Sequence, residues 1–120
     1  MARSNKNLNE ILDELSKTNN VNIVAVVGRD GFVIDSAGST NIDMDGLGAM
    51  VATSIGTSES LGGEFALGEL SQYLVEYSSG KIIMATVGND ILAVITDTDA
   101  VIGAIRYAIK KIIGEVEKAL

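Results

Sequence analysis

The chain has 120 residues, 47% of them hydrophobic and 21% charged, and it contains neither cysteine nor histidine. These totals predict one packed domain over residues 1–120, and they exclude disulfide scaffolds, Cys or His metal sites, thiol nucleophiles and imidazole-based catalytic triads. Sixteen acidic and nine basic residues give a net charge of -7, which disfavours nucleic acid as a partner because the phosphate backbone is also negative.

The first predicted element is a short helix that Asn7 caps. Its apolar residues recur at intervals of three and four, so they share one face. They are Leu8, Ile11, Leu12 and Leu15. Thr18-Asn19-Asn20 is expected to end the helix and turn the chain.

A β-hairpin is predicted next, because the apolar runs Ile23–Val27 and Phe32–Ile34 are joined by Gly28-Arg29-Asp30-Gly31. Asp-Gly between apolar runs is a strong hairpin signal. We expect the turn to present Arg29 and Asp30 to solvent. Arg29 invites comparison with the arginine finger of some GTPase activators, although a turn Arg is ordinarily only a soluble turn residue.

A second helix is predicted from a cap at Asp43 or Asp45 to about Gly62. Its apolar stripe comprises Leu47, Val51 and Ile55, flanked by Met44 and Met50. A second stripe is made of the small residues Gly48, Ala52 and Gly56. Each helical Gly costs roughly 1 kcal/mol relative to Ala. Two explanations stay open: the small residues let the helix lie close on its own sheet, or they meet a copy of the helix in a second subunit.

Three strands follow. Gln72–Tyr77 alternates, with Tyr73, Val75 and Tyr77 on one side, which indicates a partly exposed strand. Lys81–Val87 and Ile91–Thr96 are apolar at both parities, so both faces of these strands are expected to be covered.

A final helix is predicted after Asp97-Thr98-Asp99, which we expect to cap it. The element order is therefore α-β-β-α-β-β-β-α, an α/β (α+β) fold with a five-stranded antiparallel sheet between helical layers. The first and last helices would share one side of the sheet, which leaves the Gly-rich helix alone on the other. Two copies joined edge to edge through Gln72–Tyr77 would cover the exposed strand and set their Gly-rich helices side by side.

Other kinds of site find weaker support. The segment Gly46–Val51 superficially resembles a dinucleotide fingerprint, but it follows a polar connector and has Val51 where Gly or Ala is wanted. The pairs Asp43/Asp45 and Asp97/Asp99 could hold a hard cation, but each pair stands where a helix is expected to begin and supplies few ligands. We expect no cofactor, no metal and no small-molecule pocket.

The sequence also bears on location. Met1–Lys6 is polar and no apolar region follows it, so no signal peptide is predicted. No apolar stretch reaches the roughly 20 residues that a membrane span needs. A cytoplasmic protein without direct membrane insertion is therefore expected.

The chain resembles the roadblock family, which includes the dynein light chain of that name and the bacterial MglB-type regulators of small Ras-like GTPases. The resemblance runs through LNEILDELSKTNNVNIVAVVGRDGFVIDSAG and LSQYLVEYSSGKIIMATVGNDILAVITDTDAVIGAIRYAIKKI. It is carried by the hairpin turn, the small-residue helix and the strand trio that leads into the last helix. One departure is Val101-Ile102-Gly103, where many relatives have Asn-Leu-Gly.

The resemblance implies a profilin-like sandwich that forms a dimer, either with itself or with a roadblock paralogue. Its sheets would join at the third strand and its second helices would form a platform for a Ras-like GTPase. The candidate dimer contacts are Gly48, Ala52, Gly56, Tyr73, Val75 and Tyr77. The candidate partner contacts are Met50, Glu59 and Glu64, although the two glutamates are also typical of a solvated helix surface.

We therefore expect a non-enzymatic adaptor or regulator that binds a Ras-like GTPase and modulates its GTP hydrolysis. The alternative is a structural scaffolding subunit of a larger complex that has no GTPase partner.

Overall fold

The computed structural model describes residues 6–39 and 41–120, and it confirms the predicted order of helices and strands. The helices are α1 (Leu8–Ser16), α2 (Met44–Glu64) and α3 (Ile102–Ala119). The strands are β1 (Val21–Val27), β2 (Val33–Gly38), β3 (Gln72–Tyr77), β4 (Gly80–Val87) and β5 (Asp90–Thr96). The signal-peptide expectation concerns Met1–Lys6, of which only Lys6 lies within the described residues. None of the helices in the described residues combines the length and hydropathy that a bilayer crossing requires.

The five strands form one antiparallel sheet in the order β2-β1-β5-β4-β3. The three inner strands are the ones whose sequences are apolar at both parities. Both of their faces are covered, because helices pack on each side of the sheet. The two edge strands, β2 and β3, are less buried.

The two faces of the sheet carry separate cores, because successive residues of a strand point to opposite sides. On one face α1 and α3 pack together, with Leu12 and Ile105 against Val24 of β1. On the other face α2 packs alone. Its Val51 and Ile55 form a core with Ala25 of β1 and Ala93 of β5. The predicted division of the helices, two on one side and the Gly-rich helix on the other, is confirmed.

Two predicted helix caps are also present. The Asn7 side chain accepts a hydrogen bond from the Glu10 N–H (2.9 Å), and the Glu10 carboxylate accepts from the Asn7 N–H (3.0 Å), which completes a capping box. Asp43 caps α2 by accepting from the Gly46 N–H (3.1 Å). Both carboxylates therefore stabilise helix starts, which are otherwise left with unpaired N–H groups.

The predicted cap of α3 is wrong. The helix begins after Val101, which has no polar side-chain atom to offer. The Asp97 carboxylate instead accepts from the Asp99 N–H (2.9 Å) and from the Asn20 amide (3.0 Å). Asp97 closes a local turn and ties it to the end of α1, so the helix starts several residues later.

Candidate functional site

The outer edge of β2 is closed by side chains. The Ser36 N–H donates to Asp35 Oδ1 (2.8 Å), and the Ser36 carbonyl accepts from Asn9 Nδ2 of α1 (3.1 Å). Asn9 Nδ2 also donates to Asp35 Oδ1 (3.0 Å). Because the main-chain groups in the middle of this edge are already paired, β2 is a poor template for another strand.

The outer edge of β3 is open. The Thr86 N–H donates to the Ser71 carbonyl (3.2 Å), so in this antiparallel pair the odd-numbered residues of β3 turn their peptide groups towards β4. The main-chain groups of Gln72, Leu74 and Glu76 therefore face outward. No side chain in the described part of the chain bonds to them. This edge can accept a strand from another molecule.

The α2 face of the sheet is covered unevenly. Helix α2 makes its main contacts with β2, β1 and β5. On this face Met84 of β4 is still buried in the α2 core, whereas the residues of β3 are at most partly buried. Tyr73 and Val75 pack only partly into the α2 core, and Tyr77 is 59% exposed. The less covered half of this face is therefore the half that adjoins the open edge.

The small residues of the α2 stripe have different surroundings. A Cβ atom at Gly48 would lie 2.3 Å from the Gly31 carbonyl oxygen of the same chain, so this buried glycine lets the β1–β2 turn approach the helix. A Cβ atom at Gly56 would have no neighbour within 4 Å. Ala52, between them, is half-buried. Gly48 thus supports the first explanation, close packing within the chain, whereas contact with a copy of the helix stays a prediction for the accessible Gly56.

Helix α2 ends in a Schellman motif built on alanine. The Leu67 N–H donates to the Gly62 carbonyl (2.8 Å) and the Ala66 N–H to the Gly63 carbonyl (3.3 Å). Ala66 has φ +56°, a left-handed conformation that glycine normally supplies. The motif holds Leu61, Phe65 and Leu67 in water, each of them more than 60% exposed. A groove of about 320 Å³, which Leu61 and Leu67 line, extends to Tyr73 at the start of β3.

The turn residues Arg29 and Asp30 are both exposed, as predicted, but Arg29 also bonds within the chain. Its guanidinium forms a two-pronged ion pair with Glu59 of α2, in which Nη2 lies 3.0 Å from Oε2 and Nη1 contacts Oε1. Its Nε donates to the Asn89 carbonyl (3.0 Å). The hydrogen bond from Arg29 is the main cause that holds the pKa of Glu59 below its ordinary value, and it raises the pKa of Arg29.

The other candidate partner contacts lie on the surface. Met50 is 70% exposed and Glu64 is exposed at the end of α2. Glu59 differs from them, because its carboxylate already serves the ion pair within the chain.

The charge around α2 has one sign. No Lys or Arg occurs between Asp30 and Gly80. The acidic residues of that span that cap α2, stand on it or follow it are Asp43, Asp45, Glu59, Glu64 and Glu69. Of the others, Asp35 bonds to Asn9 of α1 and Glu76 lies 3.8 Å from Lys81. Since Arg29 is neutralised by Glu59, a partner that docks on this side meets carboxylates and apolar side chains.

Sequence reasoning missed two groups of exposed apolar residues. One is the set at the C-terminal end of α2, namely Leu61, Phe65 and Leu67. The other is Phe32 and Ile34, which the sequence assigned to the second run of the hairpin without predicting their exposure. The sequence did contain a signal for such a surface, namely the long span without Lys or Arg between Asp30 and Gly80. Acidic residues next to exposed apolar residues are typical of a binding surface.

The comparisons with known proteins agree with this architecture. The sequence model of the Roadblock/LC7 domain matches residues 7–97. Two uncharacterized proteins of Methanocaldococcus jannaschii are each 36% identical over 104 residues, which cover 87% of this chain and 91% of theirs.

Solved structures show the same fold. MglB of Myxococcus xanthus superimposes with a TM-score of 0.87 at 30% identity, covering 92% of each chain. A Roadblock/LC7 domain of Streptomyces avermitilis gives a TM-score of 0.86 at 21% identity, covering 94% of this chain and 97% of its own. Profilin IB of Acanthamoeba castellanii gives 0.67 at 14% identity over 92% and 97% of the two chains, which confirms the profilin-like sandwich.

Proposed function

This chain belongs to the Roadblock/LC7 family, and from that premise we propose that it is a dimeric, non-enzymatic regulator that binds a Ras-like small GTPase. The dimer forms with a second copy or with a roadblock paralogue. The GTPase docks on the platform made by the two α2 helices.

One observation carries the proposal: the less covered half of the α2 face adjoins the open edge of β3. A second copy added along Gln72–Tyr77 continues the sheet and shields Tyr73, Val75 and Tyr77. The twofold arrangement brings the two α2 helices together over the joined sheet. The side of α2 that has no neighbour in its own chain, marked by Gly56, then allows a close approach between the helices.

The surface chemistry supports a protein partner. Met50 and the residues at the C-terminal end of α2, namely Leu61, Phe65 and Leu67, are apolar and exposed. Exposed apolar residues mark binding sites because their contact with water is unfavourable. The surrounding carboxylates, Glu64 among them, complement a partner that carries Lys or Arg around an apolar centre. Opposite charges of this kind steer association and fix the partner's orientation.

Any effect on GTP hydrolysis is indirect in this proposal. The chain has no His or Cys, and Arg29 is engaged by Glu59 and the Asn89 carbonyl. A regulator without a free catalytic group acts by ordering the switch segments of the GTPase itself. The cytoplasmic location expected from the sequence stays part of the proposal.

Titration against the small GTPases of the same organism tests this function. Each GTPase is loaded with GDP or with a non-hydrolysable GTP analogue, and binding is measured by calorimetry. We expect one GTPase to bind preferentially in one nucleotide state, and Met50→Lys to weaken that binding at least tenfold. Tyr107→Lys, an equally exposed position on α3 at the opposite side of the sheet, is the matched control.

Two results decide between the candidates. Nucleotide-dependent binding that Met50→Lys removes supports the GTPase regulator. Absence of nucleotide-dependent binding for every GTPase tested contradicts it and favours the structural scaffolding subunit. Gly56→Leu adds a check on the platform, because a bulky side chain there should weaken both the dimer and the GTPase complex.

A further inference from the structure

We propose that a groove at the β1–β2 hairpin is a second protein-binding site, which receives an apolar segment flanked by Lys or Arg from another protein. The groove has a volume of about 400 Å³, and Phe32, Ile34, Asp30, Asn89 and Asp90 line it. We call it the hairpin groove. It lies between the β1–β2 turn and the β4–β5 turn, and none of its lining residues belongs to β3, so a dimer joined through β3 leaves it accessible.

The apolar part of the groove is exposed by a β-bulge. Val26 pairs with Asp35 and Val27 pairs with Val33, so Ile34 is an extra residue in β2. Bulges at sheet edges redirect side chains, and here Ile34 is left 49% exposed beside Phe32, which is 71% exposed. Two large apolar side chains at an edge strand are unfavourable in water unless a partner covers them.

The backbone that carries Phe32 is held in place. Its N–H donates to Asp30 Oδ1 (3.1 Å), and its carbonyl accepts from the Gly28 N–H (2.9 Å). Gly31, with φ +90°, makes the turn possible. A side chain presented on a fixed backbone loses little conformational freedom when it binds. Phe32 therefore has the properties of an aromatic anchor at a binding site.

The charge of the groove specifies the partner. Asp30 and Asp90 line it, and so does Arg29, whose charge is paired with Glu59. A second copy of this chain, with a net charge of -7, would bring more negative charge to the site. An anionic lipid surface or a nucleic acid would be repelled for the same reason. A protein segment with Lys or Arg beside its apolar residues complements both parts of the groove.

Amide chemical shifts of the full chain provide the test. The probe is a 12-residue peptide in which Leu alternates with Lys, and its control is the same peptide with Glu in place of Lys. We expect the Lys peptide to shift the amide signals of Phe32, Ile34, Asn89 and Asp90, and the Glu peptide to leave them unchanged. Raising the salt concentration should weaken the binding of the Lys peptide.

Three variants separate the contributions. The double substitution Phe32→Ser with Ile34→Ser should weaken binding at least tenfold, whereas Tyr107→Ser, which removes an exposed aromatic ring from α3, should leave binding unchanged. Asp30→Asn with Asp90→Asn should weaken binding several-fold and reduce its salt dependence. Asn keeps an Oδ1 acceptor for the Phe32 N–H, so the turn is retained, and the dispersion of the amide spectrum verifies folding.

Several outcomes overturn the proposal. Binding of the Lys peptide outside the hairpin, or binding that survives the Phe32/Ile34 double substitution, shows that the groove is not the site. Equal binding of the Glu peptide removes the charge argument. Self-association that only the double substitution abolishes assigns the groove to a second copy. None of these results depends on GTPase binding, which is tested at Met50.

Discussion

Arg29 and Glu59 stand thirty positions apart in the chain and form a two-pronged ion pair that joins the β1–β2 turn to α2. A further bond from Arg29 to the Asn89 carbonyl adds the β4–β5 turn. One guanidinium thus connects three elements at one end of the sheet. The pair therefore joins α2 to the turn that precedes Phe32.

Replacing Glu59 tests the strength of this link. Glu59→Gln should lower the free energy of unfolding by about 0.5 to 1 kcal/mol, a modest loss because solvent screens partly exposed ion pairs. The two side chains are 40% and 35% exposed. Urea unfolding at pH 7 measures the effect, with Glu64→Gln as the control that should change stability little. Equal effects of the two substitutions would show that the ion pair contributes nothing.

The same pair predicts a dependence on pH. Because the pKa of Glu59 is lowered in the folded state, its contribution is fully present above the ordinary glutamate pKa of roughly 4.3. It is lost as the pH falls through the lower folded-state value. The stability difference between the unmodified chain and Glu59→Gln should therefore be constant near neutral pH and vanish in acid. A difference that persists at pH 2 would contradict this assignment.

The open edge of β3 predicts an effect on assembly. Val75→Lys should shift the dimer towards monomer, with at least a tenfold rise in the dissociation constant, because it sets a charge on the less covered side of the joining strand. Sedimentation velocity measures the change. Ile34→Lys, on the edge that side chains already close, is the matched control and should leave the dimer intact. An unchanged dimer in Val75→Lys, with folding verified by circular dichroism, removes this contact from the proposal.

Two glycines of α2 should respond oppositely to the same substitution. Gly48→Ala should destabilise the chain by roughly 1 to 3 kcal/mol, because the new Cβ would overlap the Gly31 carbonyl oxygen. Gly56→Ala should stabilise the monomer by about 1 kcal/mol, since alanine is the better helix former and nothing lies within 4 Å. Thermal unfolding in the Val75→Lys background separates both effects from dimerisation. The same sign at both sites would refute the division of the stripe.

The end of α2 carries strain that glycine would relieve. Ala66→Gly should raise the free energy of unfolding by about 1 kcal/mol, because the left-handed conformation at φ +56° disfavours a Cβ atom. Ala49→Gly, in the exposed middle of the same helix, should lower it by about 1 kcal/mol. Chemical denaturation of both variants checks the pair. If Ala66→Gly is also destabilising, the conformation at this position is not a source of strain.

Periodic patterns determined which elements form and which side of each is buried. The strict apolar runs of Ile23–Val27 and Ile91–Thr96 required cover on two faces, and the alternation of Gln72–Tyr77 identified an edge. Composition alone excluded chemistry that needs thiol or imidazole groups. These conclusions hold because burial acts on residues a few positions apart in one strand or helix, and that spacing is written directly in the chain.

Only the tertiary structure decided which distant residues meet. Gly48 and Gly56 have the same side chain and lie on the same helix, but only Gly48 is crossed by the β1–β2 turn. Arg29 is exposed as predicted, but its pairing with Glu59 could not be read from the sequence. Such pairings depend on how helix and sheet cross in space, and no local spacing encodes the crossing. The open edge of β3 is also a property of the tertiary structure, because it depends on which strands and helices of the chain pack beside β3.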